Sequence, residues 1–325
     1  MTMAEHALWM TGPGCAQIRP AEAPLPDAGQ VRIRALQSGI SRGTEALVFA
    51  GRVPESEWAR MRGPFQEGDF PFPVKYGYAM VGLITAGAAD RIGQRVFCLH
   101  PHQTAFTVPD DAAIPVPDDV PTQRAVLAAQ IETALNATWD AAPRLGDRIA
   151  VIGGGTIGLL IAWLCAAMPA SDVTLIDIDP SRAAVAQALG IRFATADTTA
   201  GECDIVFHAS GTSAGLALAL TLAGFEAEVI EVSWHGDRPV TLPLGGAFHS
   251  QRLTLRSSQV GAVSPARRAR WSHSRRLATA LALAADPRLD VLVRAATPFA
   301  DLPASLPEIL GQGGGLFHRI LYEPE

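Results

Sequence analysis

Apolar and polar positions change rhythm once along this chain. In VRIRALQSG (31–39), Val31, Ile33 and Ala35 alternate with Arg32 and Arg34, the period-two pattern of a strand with one buried face. KYGYAMVGLIT (75–85) is mostly apolar, and QRVFCLH (94–100) follows a Gly-Gln turn, so both read as further short strands. Proline and glycine punctuate the first 120 residues and little there has helical spacing, which predicts a compact β-rich domain. GRVPESEWARMRGPFQEGDFPFP (51–73) is long for a connection and has the length of a lid or binding loop, with one helical turn expected over 56–61.

From Pro121 the spacing becomes helical. PTQRAVLAAQIETALNATWDAA reads as a helix with Pro121 suited to its start. Strands and helices then alternate: DRIAVIGG, TIGLLIAWLCAAM, VTLIDID, PSRAAVAQAL closed by Gly190, DIVFHAS, SAGLALALTLAG and AEVIEVS. Parallel strands need crossover connections, so this order predicts an α/β domain with a parallel sheet covered on both faces. A helix over about 272–284 follows, and GLFHRILYEP is expected to be a strand that returns to the first domain.

Composition narrows the classes. The chain of 325 residues is long enough for two domains, and 48% hydrophobic with 18% charged residues fits a folded rather than a disordered chain. A net charge of −6 argues against a nucleic acid or an anionic membrane as partner. The arginines of ARRARWSHSRR (266–276) read as the wet face of a helix, with a site for an anionic substrate as the alternative. Cys15, Cys98, Cys165 and Cys203 are far apart and form no CxxC pair, which fits free thiols in a reducing cytoplasm. The N-terminal residues lack the basic flank and apolar core of a signal peptide, and a cytoplasmic protein is expected. Residues 149–171 carry no charge and raise a membrane span. Three consecutive glycines and the charges that follow suit a buried strand, turn and helix better.

Those glycines carry the most specific signal. Gly153, Gly155 and Gly158 complete GxGxxG directly after a strand, and Thr156 and Ile157 open a helix. The first glycine permits the tight turn, the second lets backbone approach a pyrophosphate, and the third lets helix pack on strand. Asp177 ends the next strand, 19 residues past Gly158, where a carboxylate can accept both adenosine ribose hydroxyls. A carboxylate there repels a 2′-phosphate, so NAD is favoured over NADP, although Arg182 is close in sequence. Asp179 suits a helix cap before Pro180. Ser210 and Gly211, after the fourth strand, are candidate cofactor-lining residues.

A β-rich first domain, a central dinucleotide domain and a returning chain end together resemble the medium-chain dehydrogenase/reductase superfamily, the alcohol dehydrogenase-like enzymes. The resemblance runs through SGISRGTE (38–45), FPVKYGYAMVG (72–82), GQRVFCLH (93–100), IETALNA (131–137) and VIGGGTIGLL (151–160). It implies a GroES-like catalytic domain over 1–136 and 261–325 and a Rossmann doubly wound sheet over 137–260. It implies hydride transfer between a nicotinamide and an alcohol or carbonyl carbon in the cleft between domains. It also implies a homodimer through the sheet edge, here RLTLRSSQV (252–260). The SGIS-x-GTE wording is similar to a sub-branch that includes bacteriochlorophyllide dehydrogenases. The zinc-dependent branch holds its metal with a cysteine, a histidine and a second cysteine. Those positions match Ser41, Tyr78 and Ala129 here, and the four-cysteine structural lobe is missing. Zinc needs about three good protein ligands, so no zinc is expected.

Without zinc, proton transfer falls to side chains. His100 matches a pocket-lining position of the family, and histidine is the usual proton-transfer residue near neutral pH. Tyr78 is a hydrogen-bond donor for a substrate oxygen. Thr44 matches the hydroxyl that relays a proton in zinc relatives, with Glu45 beside it and Glu132 on the helix entering the cleft. Each has a plainer reading: His100 a satisfied strand-end histidine, Tyr78 packing, Thr44 and Glu45 a turn, Glu132 a partner for an arginine such as Arg42. A non-standard metal site from Glu45, Glu132 and His100 stays open. His102, His208, His235, His249 and His273 have no partner the sequence names. The leading reading is an NAD-preferring, zinc-independent oxidoreductase of a small-molecule alcohol/carbonyl pair. The alternatives are NADPH-dependent reduction of a quinone or enone C=C bond, and a dinucleotide-binding protein without turnover.

Overall fold

Val31, Ile33 and Ala35 are all buried in a computed structural model that describes residues 5–198, 201–311 and 315–322. Their strand organises the first of two units, which runs up to Ala129 and resumes at Leu277. Its strands are β1 (Glu5–Gly12), β2 (Cys15–Ala21), β3 (Gln30–Ile40), β4 (Glu67–Gly68), β5 (Val74–Lys75), β6 (Met80–Ala86), β7 (Arg95–Cys98), β8 (Ala105–Pro109) and β9 (Ile114–Pro115). Helix α1 (Arg42–Phe49) follows β3, and α2 (Thr122–Ala125) precedes α3 (Ala128–Ala141). One sheet has the order β2-β1-β5-β4, and β3 anchors the other through antiparallel ladders to β6 and β8.

The second unit carries β10 (Arg148–Ile152), α4 (Thr156–Ala166), β11 (Asp172–Ile176), α5 (Arg182–Ala188), β12 (Arg192–Ala194), β13 (Cys203–His208), α6 (Ser213–Leu222), β14 (Ala223–Glu231), α7 (Ala247–Ser250) and β15 (Thr254–Ser257). Its six strands are parallel in the order β12-β11-β10-β13-β14-β15, so β15 is an edge strand, exposed at all four residues. After α8 (His273–Leu283), the chain forms β16 (Ala295–Pro298), α9 (Leu302–Leu310) and β17 (His318–Leu321). β17 pairs antiparallel with β3, the return that GLFHRILYEP predicts. The uncharged stretch 149–171 is β10, the turn and α4, and no helix among the described residues is long and apolar enough to cross a membrane.

Three expectations need correction. KYGYAMVGLIT is not one strand: residues 76–79 leave the ladder between β5 and β6, and Gly77 takes φ +126°. The units divide at 129/130 and 276/277 rather than at 136/137 and 260/261. The reason is Arg276, only 1% exposed, whose Nε donates to Glu132 Oε1 at 2.9 Å and whose Nη1 donates to Asn136 Oδ1 at 2.5 Å. Asn136 Oδ1 also accepts from Ser264 N at 3.1 Å. Breaking such a buried ion pair costs about 3–5 kcal/mol, so these segments stay together. By the same contact the arginine run is not wholly a wet face. Arg267 and Arg275 lie over the rings of Trp139 and Trp271, and only Arg268 and Arg270 are left exposed without such a stack.

Candidate functional site

The turn after β10 separates what the fold needs from what a ligand needs. Gly153 has φ +107°, and a Cβ on it would lie 2.6 Å from Ser210 N. A Cβ on Gly158 would lie 1.9 Å from the Gly153 carbonyl oxygen, so α4 can start against the strand only with glycine there. Gly155 is different. Its φ is −74°, and nothing lies within 4 Å of a Cβ built on it. The exposed Gly155 and half-buried Thr156 and Ile157 therefore leave open space before the first N–H groups of α4, the place where a phosphate is attracted.

Asp177 faces this turn. Its Oδ2 accepts from Gly154 N and its Oδ1 from Asp179 N at 2.8 Å. Asp179 Oδ1 accepts from Ser181 N at 3.0 Å, and the hydrogen bonds from Ser181 keep its carboxyl below the usual range. Arg182 pairs with Asp179 at 3.2 Å rather than with Asp177, and its Cγ passes 3.1 Å from where a Gly154 Cβ would be. Between the two aspartates Ile178 is 93% exposed, an apolar surface that the sequence reading overlooked. Ser210 and Gly211 follow β13 beside Gly153; Gly211 N donates to Ser233 Oγ at 3.0 Å.

In the first unit a second polar cluster is buried. Ser41 N donates to Glu45 Oε1 at 2.7 Å. Glu45 Oε2 lies 3.1 Å from His102 Nε2, both side chains fully buried. His102 Nδ1 meets Ser38 Oγ at 2.8 Å, which meets Tyr322 Oη at 3.0 Å. Gly77 explains the broken strand, since a Cβ there would lie 2.8 Å from His102 Nε2. Tyr78 shares hydrogen bonds with the Ser41 and Thr44 hydroxyls; burial pushes its phenol up to about 12, against those two bonds. At neutral pH it is therefore a neutral donor. So the structure brings Tyr78, Thr44, Ser41 and Glu45 together and adds His102, which sequence spacing could not connect to a carboxyl 57 residues away.

His100 is nearby in sequence but differs in character. Its ring stacks on Phe106 at 3.7 Å and 10°, and its Nδ1 donates to the Pro101 carbonyl at 2.9 Å. Burial lowers its pKa to about 3, with Lys75 and His102 adding to the effect against the Pro101 bond. It is a neutral imidazole with Nε2 unprotonated. Glu132 lies in the second unit and pairs with Arg276; burial raises its pKa against that attraction. Arg42, the partner the sequence suggested, instead donates to the carbonyls of Ile309, Gly311 and Gly315. Next to Ala129, Gln130 is 3% exposed and neither amide atom has a hydrogen-bond partner in the protein.

No protein-family model matches the chain. An L-threonine 3-dehydrogenase of Chelativorans sp. strain BNC1 is 27% identical, and the match spans 58% of this chain and 58% of that relative. A galactitol 1-phosphate 5-dehydrogenase of Escherichia coli K12 is 26% identical over 83% of this chain and 88% of its own. Among solved structures, an alcohol dehydrogenase of E. coli CFT073 complexed with NADH matches with a TM-score of 0.77 at 18% identity, covering 98% of this chain and 99% of its own. A dehydrogenase of Sinorhizobium meliloti 1021 bound to NADP gives 0.77 at 17%, covering 98% and 100%. The chain shares the fold of these dehydrogenase structures. Ser41, Tyr78 and Ala129, which the resemblance in sequence matches to zinc-ligand positions, offer a serine hydroxyl, a neutral phenol bonded to two hydroxyls, and a methyl group. That donor set does not fit zinc.

Proposed function

We propose that the protein is a nicotinamide-dependent oxidoreductase acting on an alcohol/carbonyl pair, with proton transfer assigned to the side chains around Tyr78 rather than to a zinc at the family position. The observation that carries this reading is Gly155. It is a glycine that the fold does not require, set in open space before a helix N-terminus and next in sequence to Gly154, whose N–H donates to Asp177, so its small size answers to a bound dinucleotide. The exposed Ile178 gives an apolar wall for an adenine ring next to that carboxyl. Two relatives that are dehydrogenases of hydroxylated substrates support the reaction class.

A bound nicotinamide supplies or accepts the hydride. The chain must then move one proton at the substrate oxygen. A neutral phenol is suited to giving that proton, so carbonyl reduction is the direction for which Tyr78 is prepared. Thr44 and Ser41 orient the phenol, and Glu45 is held by Ser41 N and His102 so that it does not reach for Tyr78. His100, neutral with a free-base Nε2, is an acceptor that positions a substrate hydroxyl. We assign NAD as the preferred cofactor, because the Asp177 carboxylate, held against the Gly154 N–H, would repel a 2′-phosphate.

Tyr78→Phe should lower turnover in NADH-linked assays across aldehydes and ketones by about 10²-fold, while NADH affinity measured by fluorescence stays within a factor of about three, below 1 kcal/mol. Unchanged turnover removes Tyr78 from the chemistry. NADH should bind more tightly than NADPH, and Asp177→Ala should narrow the gap; tighter NADPH binding by the unaltered protein contradicts that assignment.

A further inference from the structure

The second unit holds a side-chain cluster that hydride transfer does not use. His208 is the last residue of β13 and Glu231 the last of β14, and the parallel register pairs them directly. His208 Nδ1 lies 2.7 Å from Glu231 Oε2, and His235, four residues further on, brings its Nε2 to 3.3 Å from the same oxygen. The two rings are stacked, 14° apart. One donor atom from each of the three residues falls within 4.8 Å of the others, the one such group of three among the described residues.

We propose that His208, Glu231 and His235 form a divalent-metal site of the zinc type at the carboxyl edge of the parallel sheet. The donor set is two imidazoles and a carboxylate, which suits Zn²⁺ with a fourth position open to solvent or ligand. Bonds of about 2.0–2.1 Å to a tetrahedral ion put ligand atoms about 3.3 Å apart. The His235–Glu231 edge already has that length, and the His208–Glu231 edge needs to open by about 0.6 Å, within side-chain adjustment.

The outer partners of a metal site are also in place. A histidine that binds a metal through one ring nitrogen holds its other through a hydrogen bond. His208 Nε2 has Ser210 Oγ at 2.6 Å, and Ser210 Oγ has Thr212 Oγ1 at 3.0 Å. Glu231 Oε1, the oxygen turned away from the imidazoles, accepts from Ser233 N at 2.7 Å. Gly215 keeps the room for this shell, because a Cβ there would lie 2.2 Å from Ser210 Oγ and 2.9 Å from His208 Nε2. Access comes from one side: the His208 side chain is fully buried, while those of Glu231 and His235 are 13% and 15% exposed.

The test is titration of the full-length, metal-stripped protein with Co²⁺, read by visible d–d absorption, followed by Zn²⁺ displacement. One equivalent of Co²⁺ should give an intense band of low coordination number, and Zn²⁺ should abolish it. His235→Ala should lose the band or weaken Co²⁺ binding more than tenfold. Ser210→Ala, which leaves all three ligands in place and removes the outer partner of His208, should weaken binding by about 10–100-fold, and far-ultraviolet circular dichroism checks that each variant is folded. Absence of a band with one equivalent overturns the proposal. A band unchanged in both variants does the same, because the ion then sits elsewhere. Neither readout depends on turnover, so the result stands apart from the hydride-transfer reading.

Discussion

His100 lies flat against Phe106 and gives its one ring proton to the Pro101 carbonyl, an arrangement that has room for a neutral imidazole only. Its folded-state pKa of about 3 lies below the 6.5 of an unperturbed histidine. Above pH 6.5 neither state is protonated and the residue adds no pH dependence. Between pH 6.5 and about 3 the unfolded chain binds a proton that the folded chain refuses. Stability therefore falls with pH across that window, by up to about 1.4 kcal/mol per unit. His100→Phe keeps a ring on Phe106 and removes the titration, so its loss of stability in urea melts between pH 7 and pH 4 should be smaller than that of the unaltered protein. Equal losses would contradict the burial argument. At this scale the sequence singled out Tyr78, Thr44 and Glu45 because a local motif carries them. It could not single out His102, whose role arises where β3, α1 and the segment before β8 converge, nor Ile178, whose signal is exposure.

Among elements, the strand–turn–helix of β10 and α4 was the most legible, since all of its determinants lie within a few residues. The structure adds a distinction the spacing lacks: two of its glycines serve the fold and one does not. Gly158→Ala should destabilise the protein by about 1–3 kcal/mol or more, since the obstacle is a backbone oxygen at 1.9 Å. Gly155→Ala should shift stability by less than about 0.5 kcal/mol yet weaken NADH binding by about tenfold or more. Thermal melts and NADH titration of the two variants check this pair; equal destabilisation would mean that Gly155 serves packing, not a ligand. The segment 75–82 was less legible. Its apolar run suits a strand, but His102 Nε2 occupies the space beside Gly77 and the backbone turns out of the ladder there.

Across the whole molecule, order of elements fixed the architecture in advance, because strands alternating with helices leave a parallel sheet as the solution and a final strand must pair somewhere. Domain limits were harder to read. They depend on Arg276, which looks like part of a charged surface run but is buried against Glu132 and Asn136 at long sequence separation. The same contacts show why charge patterning alone misjudges a guanidinium: its setting is tertiary. On the proposed reading the two polar clusters divide the work: hydroxyls and a phenol around Tyr78 handle a proton, and His208 and Glu231 at the ends of β13 and β14, with His235, are available to an ion. Turnover of an alcohol/carbonyl pair should accordingly survive removal of metal. NADH-linked turnover of the protein before and after exhaustive chelation tests this most directly. The account predicts that the rate persists in metal-stripped protein; a rate that vanishes on stripping and returns with one equivalent of Zn²⁺ would contradict it.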